Sequence, residues 1–264
     1  MQDKLRVLIL GDVVGQSGCR AIFLNVKNLK KTTNSDLVIV NGENATEGRG
    51  ISPEDANTLF SCGVDIITTG NHIGQRKEIF PVLEKDNRLL RPENYPSVVP
   101  GTGHCIVNCK DINVGILNLQ GTVNLDNLYC PFKTGRETVE KLLHKTNIII
   151  IDFHAEWPEE KEALALYLDG KVSVLVGTHT HVQTADERIF PGGTAYITDI
   201  GMTGPSDSII GMQKATALRK SITMMPLKME VADGQADIMG VVVEINTSNG
   251  KALSIQRIFE KSKM

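Results

Sequence analysis

Five separated segments of the sequence each place a carboxylate, amide or imidazole side chain directly after a short apolar run. The runs end at Asp12, at Glu43-Asn44, at Asn71-His72, at His154 and at His179-Thr180-His181. Any one of these residues could cap a helix or close a turn, but five such run ends in one chain are hard to explain by capping. Oxygen and nitrogen donors without thiolates suit manganese, iron, zinc or magnesium.

The strongest local signal among them is the pair His179 and His181. If this segment is extended, side chains two residues apart face the same side, and both imidazoles can reach one metal cluster. Taken alone, the other segments have simpler explanations. Asp12 could close a turn, Glu43 could form a salt bridge, and His154 could be a hydrogen-bonded core histidine, although a buried acid is costly unless it is paired or bound to a metal.

Taken together, these side chains supply more donors than a single ion needs. Two ions that share an acid are the natural count, because paired metals can activate a water and stabilise both oxygens of an in-line phosphoryl displacement. A nearby histidine that is not a ligand could then donate a proton to the leaving oxygen. The residues therefore predict two-metal hydrolysis of a phosphoester.

The elements that must position these side chains are strands and helices in alternation. The β-branched runs at 5–10, 37–40, 64–69, 147–151 and 172–176 predict strands that are buried on both faces. Helices are predicted at 21–31, after Ser52-Pro53 and at 159–168, where Ser52 is a cap and Pro53 and Pro158 suit first-turn positions. This alternation predicts a largely parallel sheet, and ligands bind beyond the carboxyl ends of such strands.

Two regions break this alternation and predict antiparallel strands. The first covers 104–109 and 112–119, and the second covers 227–231, 236–245 and 252–259, with an Asn249-Gly250 hairpin signal between its last two strands. We therefore expect mixed sheets of an α/β protein. Because no linker or repeat divides the 264 residues, we expect a single domain over 1–264.

Composition limits the kinds of partner that the protein can bind and the compartments in which it can be expected. The formal net charge of −3, with no basic stripe, argues against a duplex nucleic-acid surface. Five cysteines without a Cys-x-x-Cys pair are typical of reduced thiols, and neither a signal peptide nor a membrane-spanning run is visible. We expect a cytoplasmic protein with no membrane partner, for which a homo-oligomer is only a default expectation. His104 and His144 are assigned to structural roles at a strand start and a helix end.

Six motifs together resemble a known family, the calcineurin-like metallophosphoesterases, and more closely its YmdB-like branch. The Asn-Gly-Glu-Asn and His-Thr-His blocks are the most specific of them. The motifs are Gly11-Asp12-Val13-Val14-Gly15, Asn41-Gly42-Glu43-Asn44-Ala45, Gly70-Asn71-His72, Asp152-Phe153-His154-Ala155-Glu156, the segment 177–186 that begins Gly177-Thr178-His179-Thr180-His181, and Asp199-Ile200-Gly201-Met202-Thr203-Gly204.

This resemblance implies a four-layer α-β-β-α sandwich and a dinuclear centre bridged by Glu43. One metal would take Asp12, Asn44 and His181 with Glu43. The other would take Asn71, His154 and His179 with Glu43. His72 would contact the phosphate or protonate the leaving group, and a bridging water or hydroxide would attack phosphorus. The ions would be iron or manganese in preference to zinc or magnesium, and the substrate a small phosphodiester, notably a 2′,3′-cyclic nucleotide.

The sequence departs from the family pattern at two places. Val13-Val14 follow Asp12 where the wider superfamily often has Asp-x-His, and Ile73-Gly74-Gln75 follow His72 where the branch usually has an aromatic residue and an acid. No ligand is lost, but the second change alters the expected pocket wall. A regulatory nucleotide-binding protein with weak turnover, a phosphomonoesterase and a nuclease remain alternatives. The segments 92–103 and 121–131 either wall the pocket or are plain surface connections.

Overall fold

The described residues, 4–262 in this computed structural model, form strands, helices and two short 3-10 turns. The strands are β1 (Lys4–Leu10), β2 (Asp12–Val13), β3 (Leu37–Asn41), β4 (Ile66–Thr68), β5 (His104–Cys109), β6 (Ile112–Gln120), β7 (Ile149–His154), β8 (Val174–Thr178), β9 (Arg188–Ile189), β10 (Ala195–Ile197), β11 (Met202–Pro205), β12 (Ala236–Asn246) and β13 (Ala252–Lys261). The helices are α1 (Gly15–Thr32), α2 (Pro53–Cys62), α3 (Phe80–Lys85), α4 (Pro131–Leu143), α5 (Pro158–Tyr167) and α6 (Lys214–Thr223).

The strands are divided between two mixed sheets. The first sheet has the order β2-β11-β12-β1-β3-β4, with β13 paired to β12, and the second has the order β5-β6-β7-β8-β10-β9. β1, β3 and β4 are parallel neighbours, and so are β6, β7, β8 and β10. The predicted parallel runs and the predicted antiparallel hairpins β5–β6 and β12–β13 are therefore confirmed.

Apolar side chains cover both faces of the central strands in each sheet. Alternate residues of the strands, such as Val7 and Ile9 of β1 and Ile150 of β7, fill the space between the two sheets. The opposite face of the first sheet packs against α1, α2 and α3, and that of the second against α4 and α5. The arrangement is the predicted four-layer α-β-β-α sandwich. Central strands such as β7 and β8 are nearly continuously apolar because both of their faces are covered, whereas β13 is mostly exposed.

Local sequence signals place the helix starts. Ser52 Oγ accepts a hydrogen bond from Asp55 N at 3.1 Å, so the predicted cap of α2 is confirmed. α5 starts at Pro158 as predicted. α1 starts at Gly15, six positions before the predicted 21–31, because Gly15 N donates to Asn44 O at 3.0 Å and anchors an extra helical stretch that lacks a side-chain cap.

The predicted strand at residues 227–231 is wrong. Residues 227–231 form no named strand, and only Val231 makes an isolated bridge, to Met212. Leu227, Met229 and Val231 are partly buried in alternation, which imitates a strand pattern without a neighbouring sheet edge to pair with. Within 4–262, no helix is both long and apolar enough to cross a membrane.

Candidate metal centre

The predicted ligand residues all follow or end strands at the carboxyl-terminal edges of the two sheets. Asp12 begins β2 directly after β1, and Glu43 and Asn71 follow β3 and β4 of the first sheet. His154 ends β7, and His179 follows β8, in the second sheet. Because the two sheets pack face to face, these edges meet, and the five segments converge on one small volume.

Three of the side chains form one group. Asn44 Nδ2 lies 3.0 Å from His181 Nε2 and 3.4 Å from Asp12 Oδ1. His181 Nε2 and Asp12 Oδ1 are 3.8 Å apart. Asp12 is completely buried, and burial raises the pKa of its carboxyl although the charges of His154 and His181 oppose the shift. This group contains the residues that the resemblance assigns to one metal.

A second group surrounds the ring of His154. His154 Nε2 lies 3.1 Å from Asn71 Oδ1, 3.0 Å from His179 Nδ1 and 3.4 Å from Glu43 Oε1. These are the residues that the resemblance assigns to the other metal. Glu43 also contacts His72, and His72 in turn contacts Asn44 of the first group. Glu43 therefore lies between the two groups of side chains.

Each of the three histidines in these groups binds an acceptor through its outward ring nitrogen. His181 Nδ1 donates to the carbonyl oxygen of Ile210 at 2.8 Å, and His179 Nε2 lies 3.0 Å from Glu156 Oε2. His154 Nδ1 lies 3.0 Å from the hydroxyl of Thr178. The other nitrogen of each ring is turned toward the centre, and this arrangement is typical of metal-ligating histidines.

A buried polar network holds the ring of His154 from behind. The Thr178 hydroxyl donates onward to Asp152 Oδ1 at 2.8 Å, so the chain of hydrogen bonds ends on a carboxylate. Asn41 and Thr68 donate to the other oxygen of Asp152. Burial raises the pKa of Asp152 to about 6, although these hydrogen bonds and the charge of His154 oppose the shift.

Glu43 is the acid at the middle of the centre. Burial alone would raise the pKa of its carboxyl, but the charges and hydrogen bonds of His154 and His72 outweigh burial and lower that pKa to about 2. Its Oε2 atom is buried and has no hydrogen-bond partner among the described residues. A charged oxygen without a partner in a dry site is costly, and a cation would satisfy it.

The two facing histidines have opposite charge preferences. Burial disfavours the charged form of His154, but the negative charges of Glu43 and Asp12 and a hydrogen bond to Glu43 raise its pKa to about 9. Burial and the positive charge of His154 lower the pKa of His179 to about 3. His179 is therefore neutral at physiological pH, with a ring nitrogen able to accept a bond.

The segment that carries His179 and His181 is a turn and not an extended strand, so the condition under which the two side chains would share one face is not met. Both residues have positive φ angles, 102° for His179 and 65° for His181. Their rings consequently enter different groups of the centre. Such backbone strain is found preferentially at functional sites, where the surroundings hold it in place.

Close packing at the centre explains one glycine of the predicted motifs. A Cβ atom at Gly70 would lie 2.1 Å from Cδ2 of the His154 ring. Any other residue at this position would displace the imidazole. Gly70 is therefore required because the backbone passes so close to the His154 ring, and not because of its φ angle.

The side chains of the centre contact one another directly. Counting only histidine, cysteine, aspartate and glutamate, the part of the chain from 4 to 262 holds no group of three or more arranged to bind an ion. The amides of Asn44 and Asn71 are outside that count. Metal binding would separate side chains that now lie within hydrogen-bonding distance, and the orphaned Glu43 oxygen and the inward imidazole nitrogens fit such a ligand. Ligation itself stays a prediction.

His72 lies at the open side of the centre. Its Nδ1 is 2.9 Å from Asn44 Oδ1 and 3.0 Å from Glu43 Oε1, and its backbone N donates to the same Glu43 oxygen at 2.9 Å. The side chain is 27% exposed, whereas that of Glu43 is completely buried. His72 is thus held next to the ligands while its ring still reaches the surface.

The other two histidines occupy the predicted structural positions. His104 starts β5 and lies 3.2 Å from a carboxylate oxygen of Glu93, and His144 follows the last residue of α4 as its C-cap.

Asn94 connects the segments 92–103 and 121–131, which are the two candidate pocket walls. Its side chain donates to Gln120 O and to Tyr129 O, at 2.8 and 3.0 Å. The phenol of Tyr95 is partly buried, and burial with the negative charges of Asp126 and Glu43 raises its pKa. The hydrogen bond from Asn94 to Tyr129 O therefore connects the segment 92–103 to the segment 121–131.

Sequence reasoning missed the residues that hold the ligands in place. Asp152, Thr178 and Glu156 lie inside the family motifs without a predicted role, and Ile210 lies outside those motifs. A signal did exist for Asp152 and Thr178, since a buried polar residue beside a ligand histidine is expected to orient it. The bond from His181 to a backbone carbonyl leaves no sequence signal.

The comparison with known families identifies the chain. The family model for YmdB-like proteins matches residues 8–258. The chain belongs to this family. The predicted YmdB-like resemblance is confirmed, and it extends over almost the whole sequence.

Three similar proteins match this chain over nearly their full length. A Bacillus subtilis (strain 168) protein named 2′,3′-cyclic-nucleotide 2′-phosphodiesterase is 43% identical over 254 residues, which are 96% of each chain. The crystal structure of a phosphatase from Mycoplasma pneumoniae has 34% identity and a TM-score of 0.92, covering 100% of this chain and 95% of that one. A hypothetical protein from Thermus thermophilus has 36% identity and a TM-score of 0.90, covering 98% and 100%. The predicted fold and the predicted class, a phosphoric ester hydrolase, are confirmed.

Proposed function

We propose that this chain is a phosphodiesterase that uses two metal ions and hydrolyses small phosphodiesters, with 2′,3′-cyclic nucleotides as the favoured class. The observation that carries the proposal is the orientation of His154, His179 and His181. Each binds an acceptor through its outward nitrogen and turns the other nitrogen toward the volume beside Glu43. The substrate class comes from the name of the Bacillus subtilis relative.

The two groups of side chains would each hold one ion. Asp12, Asn44 and His181 would hold the first, and Asn71, His154 and His179 the second, with Glu43 between them. The orphaned Oε2 of Glu43 suits a shared carboxylate. When bound, the ions would activate a water and stabilise charge at the phosphoryl group. Iron or manganese is favoured, and zinc or magnesium also accepts these donors.

His72 would act on the phosphate or on the leaving oxygen. Its Nδ1 is fixed by Asn44 and Glu43, so the ring cannot turn freely and Nε2 is presented to the exposed side. A histidine in this position can donate a hydrogen bond to a phosphate oxygen or a proton to a departing alkoxide. No ligand role is assigned to it.

A cavity of about 630 Å³ lies between residues 122–132 and the start of α5. None of the proposed ligands lines it, so it is not assigned to the substrate. The net charge of −3 gives no support for binding a nucleic-acid duplex.

Elemental analysis of the purified protein, together with a substrate panel, tests the proposal. The panel contains 2′,3′-cyclic and 3′,5′-cyclic nucleotides, a linear diester and an aryl phosphate monoester. We expect two metal ions per chain and fastest cleavage of the 2′,3′-cyclic substrates. Asn71→Ala should abolish turnover, whereas Asn28→Ala, which changes an exposed asparagine of α1, should not.

Other results of the same experiment would replace the proposal. Cleavage of the monoester alone would assign a phosphomonoesterase. Tight nucleotide binding by the metal-loaded protein without turnover would assign a regulatory binding protein. Equal turnover by wild type and Asn71→Ala, with intact metal content, would exclude the centre as the catalytic site.

A further inference from the structure

A completely buried ion pair lies behind the turn that carries His179 and His181. Lys161 Nζ and Asp199 Oδ2 are 2.9 Å apart, and both side chains are 0% exposed. Lys161 belongs to α5, and Asp199 lies between β10 and β11. Burying two charges is expensive, and apolar side chains of similar volume are often equally stable in their place, so stability alone does not account for the pair.

Asp199 Oδ1 accepts a hydrogen bond from Gly201 N at 2.9 Å, and the pair also contacts the backbone of the turn. Lys161 Nζ donates to Thr178 O at 2.9 Å, and Asp199 Oδ2 accepts from Thr180 N at 3.0 Å. Within residues 4–262, the other donor to Thr178 O is Ala155 N, at the longer distance of 3.4 Å. The two charged side chains therefore hydrogen-bond to the backbone immediately before and after His179.

The backbone that these bonds hold is strained at His179 and His181. His179 and His181 have φ angles that side chains other than glycine rarely adopt, and such angles persist only where neighbouring structure holds them. His179 N donates to Asp12 Oδ2 at 3.1 Å. Three consecutive backbone groups, the carbonyl of Thr178 and the N–H groups of His179 and Thr180, are thus each held by a charged side chain.

We propose that Lys161 and Asp199 are a positioning pair, which holds residues 178–181 in the conformation that brings both histidines into the centre. Among the described residues, the hydrogen bonds and ion pairs of Lys161 and Asp199 reach none of the proposed ligand side chains, so the pair has no direct part in the chemistry. Its effect on metal affinity rests on the proposed function. Its effect on the conformation of the turn does not, so the two can be tested separately.

The test compares two variants with a matched control. Lys161→Met removes the ammonium, and Lys161→Met with Asp199→Asn removes both charges and leaves no unpaired buried ion. The control is Ile245→Ala, a buried residue that pairs with Leu5 at the amino end of β1, opposite the centre. We would measure Mn²⁺ affinity by calorimetry, hydrogen exchange of the Thr180 amide in metal-free protein, and the free energy of unfolding.

We expect both variants to bind Mn²⁺ about 10- to 100-fold more weakly, which is the usual loss when a residue that orients ligands is removed. The Thr180 amide should exchange at least tenfold faster, while Ile245→Ala loses stability without either change. Wild-type Mn²⁺ affinity and Thr180 protection in the double variant would overturn the inference. If the wild type binds no metal, the proposed function is overturned, and Thr180 exchange alone decides the role of the pair.

Discussion

His154 and His179 face each other across the centre, with Nε2 of the first ring 3.0 Å from Nδ1 of the second. The rings are nearly perpendicular, and their centroids are 4.8 Å apart. One nitrogen of each ring is already bound outward, to Thr178 and to Glu156. Both inward nitrogens are therefore directed at the volume next to Glu43. A cation bound there would take the lone pair of the neutral His179 and would displace the proton that His154, with its pKa of about 9, carries at neutral pH.

Metal binding should raise the stability of the protein. Because the ligands come from five segments, an ion should bind the folded chain and not the unfolded one. Free Mn²⁺ at about a hundredfold above its Kd should add about 2.7 kcal/mol to the free energy of unfolding. Thermal unfolding with Mn²⁺ and after chelation would show the difference as a shift in Tm of several degrees.

The variant Glu43→Gln is the control for that measurement. It should lose most of the metal-dependent shift, because an amide cannot supply the shared charge between the two groups. A shift of the same size in Glu43→Gln would place the stabilising ion elsewhere in the molecule.

Replacing His72 should lower the cleavage rate most for substrates that have poor leaving groups. His72→Asn should lower kcat by about 10²- to 10⁴-fold on a cyclic nucleotide, whose leaving alkoxide needs a proton. The loss should be much smaller on a p-nitrophenyl diester, whose leaving group departs unprotonated. Steady-state kinetics on both substrates, with metal content measured, would check this.

His104→Asn is the matched control, since this histidine is partly exposed and lies beside Glu93. It should leave both rates unchanged. An equal loss on the two substrates in His72→Asn would indicate a role in holding phosphate and not in proton donation.

Removing the Thr178 hydroxyl should weaken metal binding. In Thr178→Val the bond from His154 Nδ1 is lost, and the ring is no longer fixed by Asp152. We expect metal affinity to fall about 10- to 100-fold. Titration with Mn²⁺ measures the change.

Thr203→Val makes the same substitution where the hydroxyl is also completely buried but has no hydrogen-bond partner among the described residues. Losing an unsatisfied hydroxyl should be neutral or stabilising. A similar loss of affinity in both variants would show that Thr178 acts through general packing.

The cap of α2 should contribute to stability and not to activity. Ser52→Ala removes the acceptor of the Asp55 N–H and should lower the free energy of unfolding by about 1 kcal/mol. Urea denaturation would measure this, and turnover should stay at the wild-type value. Unchanged stability would show that Asp55 N finds another acceptor.

The features that the sequence predicts best are those written into short segments. The Ser52-Pro53 start of α2, the Asn249-Gly250 hairpin and the polar ends of the buried strands each follow from a few neighbouring residues. The convergence of Asp12, Glu43 and His179 could be inferred from strand topology, because the carboxyl ends of parallel strands share an edge.

The features that could not be predicted depend on distant contacts. Lys161 lies in the charged stretch Pro158-Glu159-Glu160-Lys161-Glu162, which is typical of a solvated helix start, yet its side chain is completely buried against Asp199. Residues 227–231 alternate like a strand but have no sheet edge beside them. The positive φ of His179 likewise arises from the groups that hold the turn, and not from its own sequence.

The donors of the centre come from both sheets: Asp12, Glu43 and Asn71 from the first, His154 and His179 from the second. An ion bound here would link the two sheets of the sandwich through its ligands. Neither half could capture it alone, so metal uptake would belong to the last stage of refolding, after the sheets have docked. Any slippage between the sheets would then release the ion before the chain unfolds.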